Sequence, residues 1–246
     1  MTPIGVGLSS GTLPAASASE LARGVRLVSG CGADLRIGKG HGWERDGVGA
    51  GLATLAAAGL EVFFTGIGMW LGGRPDARRE HDELVQAPPG PVKVFCRSQP
   101  DAGAVREQLA TAAALHRELW IEIHEGGPGA VELTRLAART GIGIVLDLLG
   151  LLRTGGATAA QLDAMAPHVD AVQVKGVEVG ADGVRHRALR PGDLDVVLRV
   201  LRSGRVRAVT LESRAGRPER DMKVITEVLC PAVGRTPVPP TREERA

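Results

Sequence analysis

The chain has 246 residues, of which 43% are hydrophobic and 24% are charged, and this balance excludes a disordered main body. Its net charge of +2 arises from 30 basic residues dispersed among 28 acidic ones, with three Phe, three Trp and no Tyr. The composition therefore lacks the basic footprint and the aromatic stacking surface of a nucleic-acid-binding protein.

The cysteines and the N-terminus indicate the compartment. Cys31, Cys96 and Cys230 form no C-x-x-C pair, which argues against a disulfide framework and a structural zinc site. The N-terminus lacks a basic region followed by an apolar core, and no segment approaches the length of a membrane-spanning apolar run. We therefore expect a soluble cytoplasmic protein.

Short apolar runs alternate with longer segments of helical period, which is typical of repeated βα units. Eight runs have strand character, at 4–9, 33–37, 61–66, 92–97, 119–124, 143–148, 171–175 and 208–212. Helical segments are predicted at 17–29, 48–58, 76–86, 102–117, 129–139, 158–166, 192–201 and 218–229.

Eight strands with helical crossovers predict a single (β/α)8 TIM barrel. An open doubly wound sheet is disfavoured because no dinucleotide glycine fingerprint or P-loop follows the first strand. The barrel domain is expected over 1–230. Residues 231–246 contain four prolines and a charged ending, so an irregular C-terminal tail is predicted there.

Polar side chains follow the apolar part of the later strands, at the end where barrel enzymes carry their active sites. Glu122, Asp147 and Glu212 end strands five, six and eight. Because side chains alternate along a strand, His124 shares a face with Glu122, and Lys175 shares one with Gln173. Buried carboxylates require a cation or hydrogen-bond donors nearby. We therefore predict an acidic catalytic centre at the barrel mouth.

Four segments on strands five to eight resemble the xylose-isomerase-like superfamily, which includes sugar isomerases and epimerases, inosose dehydratases and apurinic endonucleases. They are Leu-Trp-Ile-Glu122, Ile-Val-Leu-Asp147, Val-Gln173-Val-Lys175-Gly and Val-Thr-Leu-Glu212-Ser. The stretch from Leu189 to Asp195 also resembles a Pro-Gly loop of that family.

The resemblance implies one divalent metal, held by Glu122, Asp147, Gln173 and Glu212. Gln173 stands where the family usually has His, and a glutamine carbonyl suits Mg²⁺ or Mn²⁺ better than Zn²⁺. Lys175 matches a lysine of the common His-x-Lys-Asp form. Asp147 is followed by Leu-Leu-Gly150, where many members have a second histidine.

The expected chemistry is isomerisation or epimerisation of a small polar hydroxy-carbonyl substrate, with Glu122 or Glu212 removing a proton and the other returning one. His124 is a candidate for proton transfer and Lys175 for anchoring a substrate oxygen. The open alternatives are a metal-independent isomerase, cyclase or dehydratase of a specialised biosynthetic pathway, and a non-catalytic ligand-binding barrel. An endonuclease is disfavoured because few histidines stand near strand ends.

Further basic residues are candidates for substrate binding. Arg36, Lys39 and His41 lie in a glycine-spaced loop that suits a carboxylate or phosphate, with a solvated loop as the alternative. Arg97 and Arg214 are weaker candidates. The expected partner is a small polar molecule rather than nucleic acid or membrane, and a homo-oligomer is compatible with the sequence. The remaining histidines, including His186, are expected at the surface.

Overall fold

A closed barrel of eight parallel strands forms the centre of the protein, in a computed structural model that describes residues 4–73, 76–180, 183–203 and 205–232. The strands are β1 Gly5–Ser9, β2 Gly32–Arg36, β3 Glu61–Leu71, β4 Pro91–Cys96, β5 Glu118–Glu122, β6 Gly143–Asp147, β7 Val169–Val174, β8 Val177–Gly180, β9 Gly183–His186 and β10 Ala208–Leu211. The barrel order is β1, β10, β7, β6, β5, β4, β3, β2. Strands β8 and β9 form a separate antiparallel hairpin.

Helices cover the outside of the barrel, as expected for a (β/α)8 fold. They are α1 Ala18–Leu27, α2 Val48–Ala57, α3 Ala77–Gln86, α4 Ala102–Ala114, α5 Ala130–Thr140, α6 Leu148–Arg153, α7 Ala159–Met165, α8 Asp195–Leu201 and α9 Pro218–Ala232. Capping boxes with Ser17 and Thr158 at the N-cap begin α1 and α7, since these hydroxyls satisfy free backbone N–H groups. No helix among the described residues is both long and apolar enough to cross a membrane.

The predicted barrel is confirmed, and all eight predicted strands are present. The structure adds the hairpin β8–β9, the short helix α6 and an extension of β3 through Met69 and Trp70. Helix α9 continues through Pro231 and Ala232. The rest of the expected tail, 233–246, lies outside the described residues.

The barrel interior consists of an apolar floor and a polar mouth. The floor is a cluster of buried side chains, namely Phe63, Phe64, Trp120, Val145, Ala171 and Ala208. Residues two positions further along a strand point to the same side, and here those residues are polar. Trp120 is followed by Glu122, Val145 by Asp147, and Ala171 by Gln173. The alternation of side chains along these three strands therefore directs Glu122, Asp147 and Gln173 into the mouth.

Glycines in β1 and β2 make room for the floor. A β-bulge in β3 pairs Ala33 with Val62 and Asp34 with Phe64, so that Phe63 is the extra residue. A Cβ atom on Gly5 would lie 2.4 Å from the Phe63 ring, and one on Gly7 would lie 1.8 Å from the carbonyl oxygen of Gly32. Because Gly5 and Gly7 have no side chains, the Phe63 ring and the Gly32 carbonyl can occupy the space beside them.

Replacing Gly7 by alanine is expected to destabilise the barrel by about 3 kcal/mol, because the added methyl overlaps backbone that cannot move independently. The measurement is the free energy of unfolding from urea titration. Gly49→Ala in α2 is the matched control, since its Cβ would meet nothing within 4 Å, and we expect it to be neutral or stabilising by up to about 1 kcal/mol. Equal stability of the two variants would contradict this packing account.

Candidate active site

A cavity of about 210 Å³ opens at the barrel mouth. Its walls include Glu122, His124, Asp147, Lys175 and Glu212, which were predicted from the strand ends. The three carboxylates are at most 5% exposed. The fold therefore brings them together at one buried face of a concave site, as the sequence predicted.

Lys175 lies between two of these carboxylates. Its Nζ is 2.5 Å from Oδ2 of Asp147 and 3.0 Å from Oε2 of Glu212. Arg36 reaches the same Glu212 oxygen at 2.6 Å, and Arg214 donates to the other oxygen at 3.1 Å. Glu212 is fully buried, and the cost of burying its negative charge is offset by these three cationic side chains.

Lys93 is a second buried cation of the site, and it was not predicted from the sequence. It forms an ion pair with Glu122 and donates to Oε1 of Gln173 at 3.3 Å. The Gln173 amide in turn donates to Oδ2 of Asp34 at 3.1 Å, and Ser9 donates to Oδ1 of Asp34 at 2.9 Å. These groups form a continuous polar chain across the barrel.

The environments of the carboxylates push their pKa values apart. Burial alone would raise the pKa of Glu122, but Lys93 and Lys175 outweigh it and lower the pKa below its ordinary value. Burial outweighs Lys175 at Asp147 and raises that pKa. Burial is likewise outweighed at Glu212, where Lys175 and Arg36 lower the pKa to about 2. Divergent pKa values within one cavity are typical of groups that exchange protons with a substrate.

The same carboxylates raise the pKa of Lys175 above its ordinary value, although its burial acts in the opposite direction. Lys175 therefore carries its proton at neutral pH. Burial raises the pKa of Asp34, outweighing the effect of Lys93.

The residues expected to hold a metal do not fit a divalent ion in this arrangement. Lysine ammonium groups contact all three carboxylates, and the Gln173 carbonyl accepts from Lys93. Among the described residues, no group of three or more His, Cys, Asp or Glu side chains is arranged to hold a metal. The positive charge that these acids require is thus supplied by the chain itself.

Asp147 also has a structural role. Its Oδ1 accepts from the backbone N–H of Gly150 at 2.7 Å and caps the N-terminus of α6. A Cβ on Gly150 would lie 1.8 Å from the carbonyl oxygen of Ile123. Gly150 ends the Leu-Leu-Gly segment in which many members of the xylose-isomerase-like superfamily have a second histidine. Position 150 therefore has no space for a histidine side chain.

His124 faces the cavity from the loop after β5. Its ring lies 4.6 Å from Phe95 and 5.9 Å from Trp70 between centroids, and its buried Nδ1 has no hydrogen-bond partner among the described residues. The Arg97 guanidinium stacks on the Trp70 ring, 4.8 Å from its centroid. Met69 is buried beside Trp70 in the chain, and Trp70 contacts the imidazole edge-on.

Some of the other predicted basic residues line the cavity, and one contacts a residue beside it. Arg36, Lys39 and Arg214 line the cavity. His41 contacts Ser10 Oγ through Nδ1 at 3.1 Å, and burial, followed by Arg36, lowers its pKa. His186, expected at the surface, is instead placed in the cavity wall by the hairpin.

The fold and site together define a (β/α)8 barrel with an ionised, concave mouth. Comparison with solved structures identifies the type of barrel: the chain has the fold of the xylose-isomerase-like barrels. It superposes on the probable 3-DHS dehydratase AsbF of Bacillus anthracis with a TM-score of 0.70 at 13% identity, covering 91% of this chain and 99% of that one. The fold is thus shared along almost the whole chain.

Two further structures show how varied the proteins with this fold are. The IolI protein with a bound zinc atom matches with a TM-score of 0.65 at 13% identity, covering 94% of this chain and 98% of that one. The 3-keto-D-glucoside 4-epimerase YcjR of E. coli matches with a TM-score of 0.64 at 14% identity, over 92% and 99%. No family model and no curated protein sequence matches the chain.

Proposed function

We propose that this protein is an enzyme that moves a proton at a carbon beside the carbonyl of a small polar hydroxy-carbonyl substrate. The observation that carries the proposal is the pair of buried ammonium groups, Lys93 and Lys175, set among three carboxylates that face one cavity. The mouth of a barrel is where its chemistry takes place. The epimerase and the dehydratase of the same fold are consistent with proton abstraction on this scaffold.

In this proposal Glu122 is the base. Lys93 lowers its pKa, so it is ionised at neutral pH and able to take a proton from carbon. Lys175 stays protonated and donates a hydrogen bond to the substrate oxygen on which negative charge develops. An enediolate-like intermediate is thereby stabilised by a fixed cation.

Asp147 is the group that suits the return of the proton, because its pKa is raised and it lies against Lys175. Glu212 is a weak base, with a pKa of about 2. We assign it the role of anchoring Lys175, Arg36 and Arg214. Two acids with opposed pKa shifts thus take the two halves of a proton transfer.

The proposal places the required positive charge on lysine rather than on a divalent metal. A metal would polarise the carbonyl by the same electrostatic principle, but its expected ligands already contact ammonium groups. The activity is therefore expected to persist after removal of divalent ions.

The test is deuterium incorporation from D₂O into a panel of three- to six-carbon ketoses, ketose phosphates and hydroxy-keto acids, followed by proton NMR. We expect exchange at the carbon beside the carbonyl of at least one compound. The rate should be unchanged within about twofold after EDTA treatment, since a twofold change corresponds to only a few tenths of a kcal/mol. Exchange with no compound would refute the proposed proton-transfer activity. Exchange that EDTA abolishes and Mn²⁺ restores would refute the proposal that lysine rather than a metal supplies the positive charge.

A further inference from the structure

We propose that the substrate carries an anionic group, a carboxylate or a phosphate, which binds between Arg214 and His186 on the hairpin side of the mouth. This inference rests on the proposed function, because it names the chemical class of substrate for the same site. It is carried by the charge balance of the cavity, by the contacts of Arg214 and by the unpaired nitrogen of His186.

The cavity walls contain more positive than negative side chains. Among the described residues, six cationic side chains face four carboxylates, namely Arg36, Lys39, Lys93, Arg153, Lys175 and Arg214 against Glu122, Glu125, Asp147 and Glu212. A cavity with this excess attracts anions and repels cations, and its low-dielectric walls strengthen the effect.

The excess is concentrated around Arg214. Lys93 is paired with Glu122, and Arg153 is paired with Glu125. Glu212, by contrast, is shared by Arg36, Lys175 and Arg214, and Lys175 also contacts Asp147. Two carboxylates cannot neutralise three cations, so positive charge is left over at this side of the mouth.

Arg214 has donors to spare. Among the described residues its hydrogen-bond partner is Oε1 of Glu212 alone, at 3.1 Å, and its side chain is 54% exposed. A guanidinium has five N–H donors in a planar fork that matches a carboxylate or phosphate in a bidentate manner. Lys39, also exposed, forms no ion pair with any described residue, and it adds positive charge to the same cavity.

His186 provides an independent indication of a ligand. The hairpin places it in the wall, where its Nδ1 is buried and has no partner among the described residues. Buried polar atoms are nearly always hydrogen-bonded, so this nitrogen is suited to a group that arrives with the substrate. Burial lowers the pKa of His186, and Arg214 and then Lys175 lower it further, in accordance with a positive potential at this position.

The experiment compares three matched six-carbon probes, D-glucitol, D-gluconate and D-glucitol 6-phosphate, by isothermal titration calorimetry at low ionic strength. The protein carries Glu122→Gln, so that binding is measured without turnover. We expect at least one of the two anions to bind at least about tenfold more tightly than D-glucitol, as a bidentate charged contact provides. The tighter anion identifies the carboxylate or the phosphate as the group recognised.

Arg214→Gln in the same background should remove most of this preference. Arg199→Gln is the matched control, because Arg199 pairs with Asp163 on the surface. Equal binding of the three probes, no binding of either anion, or an unchanged preference in Arg214→Gln would overturn the inference. Because binding is measured in a variant that lacks the base, this result is independent of whether the exchange assay succeeds.

Discussion

Glu122→Gln is expected to lower the rate of deuterium exchange by about 10²- to 10⁴-fold, the contribution of a positioned general base. The amide keeps the size of the side chain and its ability to accept from Lys93, but it cannot take a proton from carbon. The loss should appear in kcat, with KM changed far less, because the base acts in the transition state rather than in binding.

Glu125→Gln is the control for this substitution. Glu125 lines the same cavity but lies at its exposed rim, where it pairs with Arg153. We expect its exchange rate to stay within about threefold of the unmodified protein, since exposed ion pairs contribute little. Thermal unfolding of both variants separates lost chemistry from lost folding. A Glu122→Gln protein that is folded and fully active would refute the assignment of the base.

Lys175→Met is expected to lower the free energy of unfolding by about 3–5 kcal/mol at pH 7.5, the usual effect of removing one partner from a buried ion pair. Asp147 and Glu212 would keep their buried positions but lose the ammonium group that contacts both. The measurement is urea unfolding. Exchange activity should also be lost, because in the proposed mechanism Lys175 supplies the charge beside the substrate oxygen.

The pH dependence of this variant follows from the same carboxylates. In the unmodified protein Lys175 is the largest influence holding the pKa of Glu212 near 2, against the effect of burial. Without Lys175, the folded-state pKa of both acids rises relative to the unmodified protein, and that of Asp147, already raised by burial, moves further above its unfolded value. The folded variant then binds more protons than the folded unmodified protein, so its stability relative to that protein falls as pH rises. We expect the deficit relative to the unmodified protein to shrink between pH 7.5 and pH 5.

Lys223→Met provides the comparison, because Lys223 pairs with Glu227 at the surface of α9 with both side chains mostly exposed. Its effect should be below about 0.5 kcal/mol at either pH. If Lys175→Met were as stable as Lys223→Met at pH 7.5, the buried ion network would not have the energetic role described above.

The barrel could be predicted because each strand is a short apolar run that ends in a polar residue, with a helical segment after it. The positions of Glu122, Asp147 and Glu212 followed from strand ends alone. Their common orientation followed from the alternation of side chains, as with Trp120 and Glu122 on one face of β5. These are local properties of the chain.

The partners of those acids could not be predicted in the same way. Lys93 stands between two valines in a strand buried on both faces, and this was the available signal that its charge must be compensated inside the barrel. Which acid compensates it depends on the closure of β4 beside β5 and on the reach of a flexible side chain. The expectation that Gln173 helps to hold a metal had the same weakness, because its contacts with Lys93 and Asp34 join three strands.

The hairpin after β7 was missed because its strands, Val177–Gly180 and Gly183–His186, have only four residues each and are mostly exposed. Strands this short give too little hydrophobic pattern to distinguish them from a loop. His186 was consequently assigned to the surface, although the hairpin turns it back into the mouth.

The apolar floor of the barrel has a kinetic consequence. Phe64 and Trp120 pack together at 5.6 Å between ring centroids, and Lys93 lies over the Phe64 ring, so aromatic side chains underlie the charged part of the cavity. Under the proposed function, substrate and product bind in turn against the same charged walls. Product should therefore inhibit competitively, and turnover should depend on how quickly the product leaves the cavity.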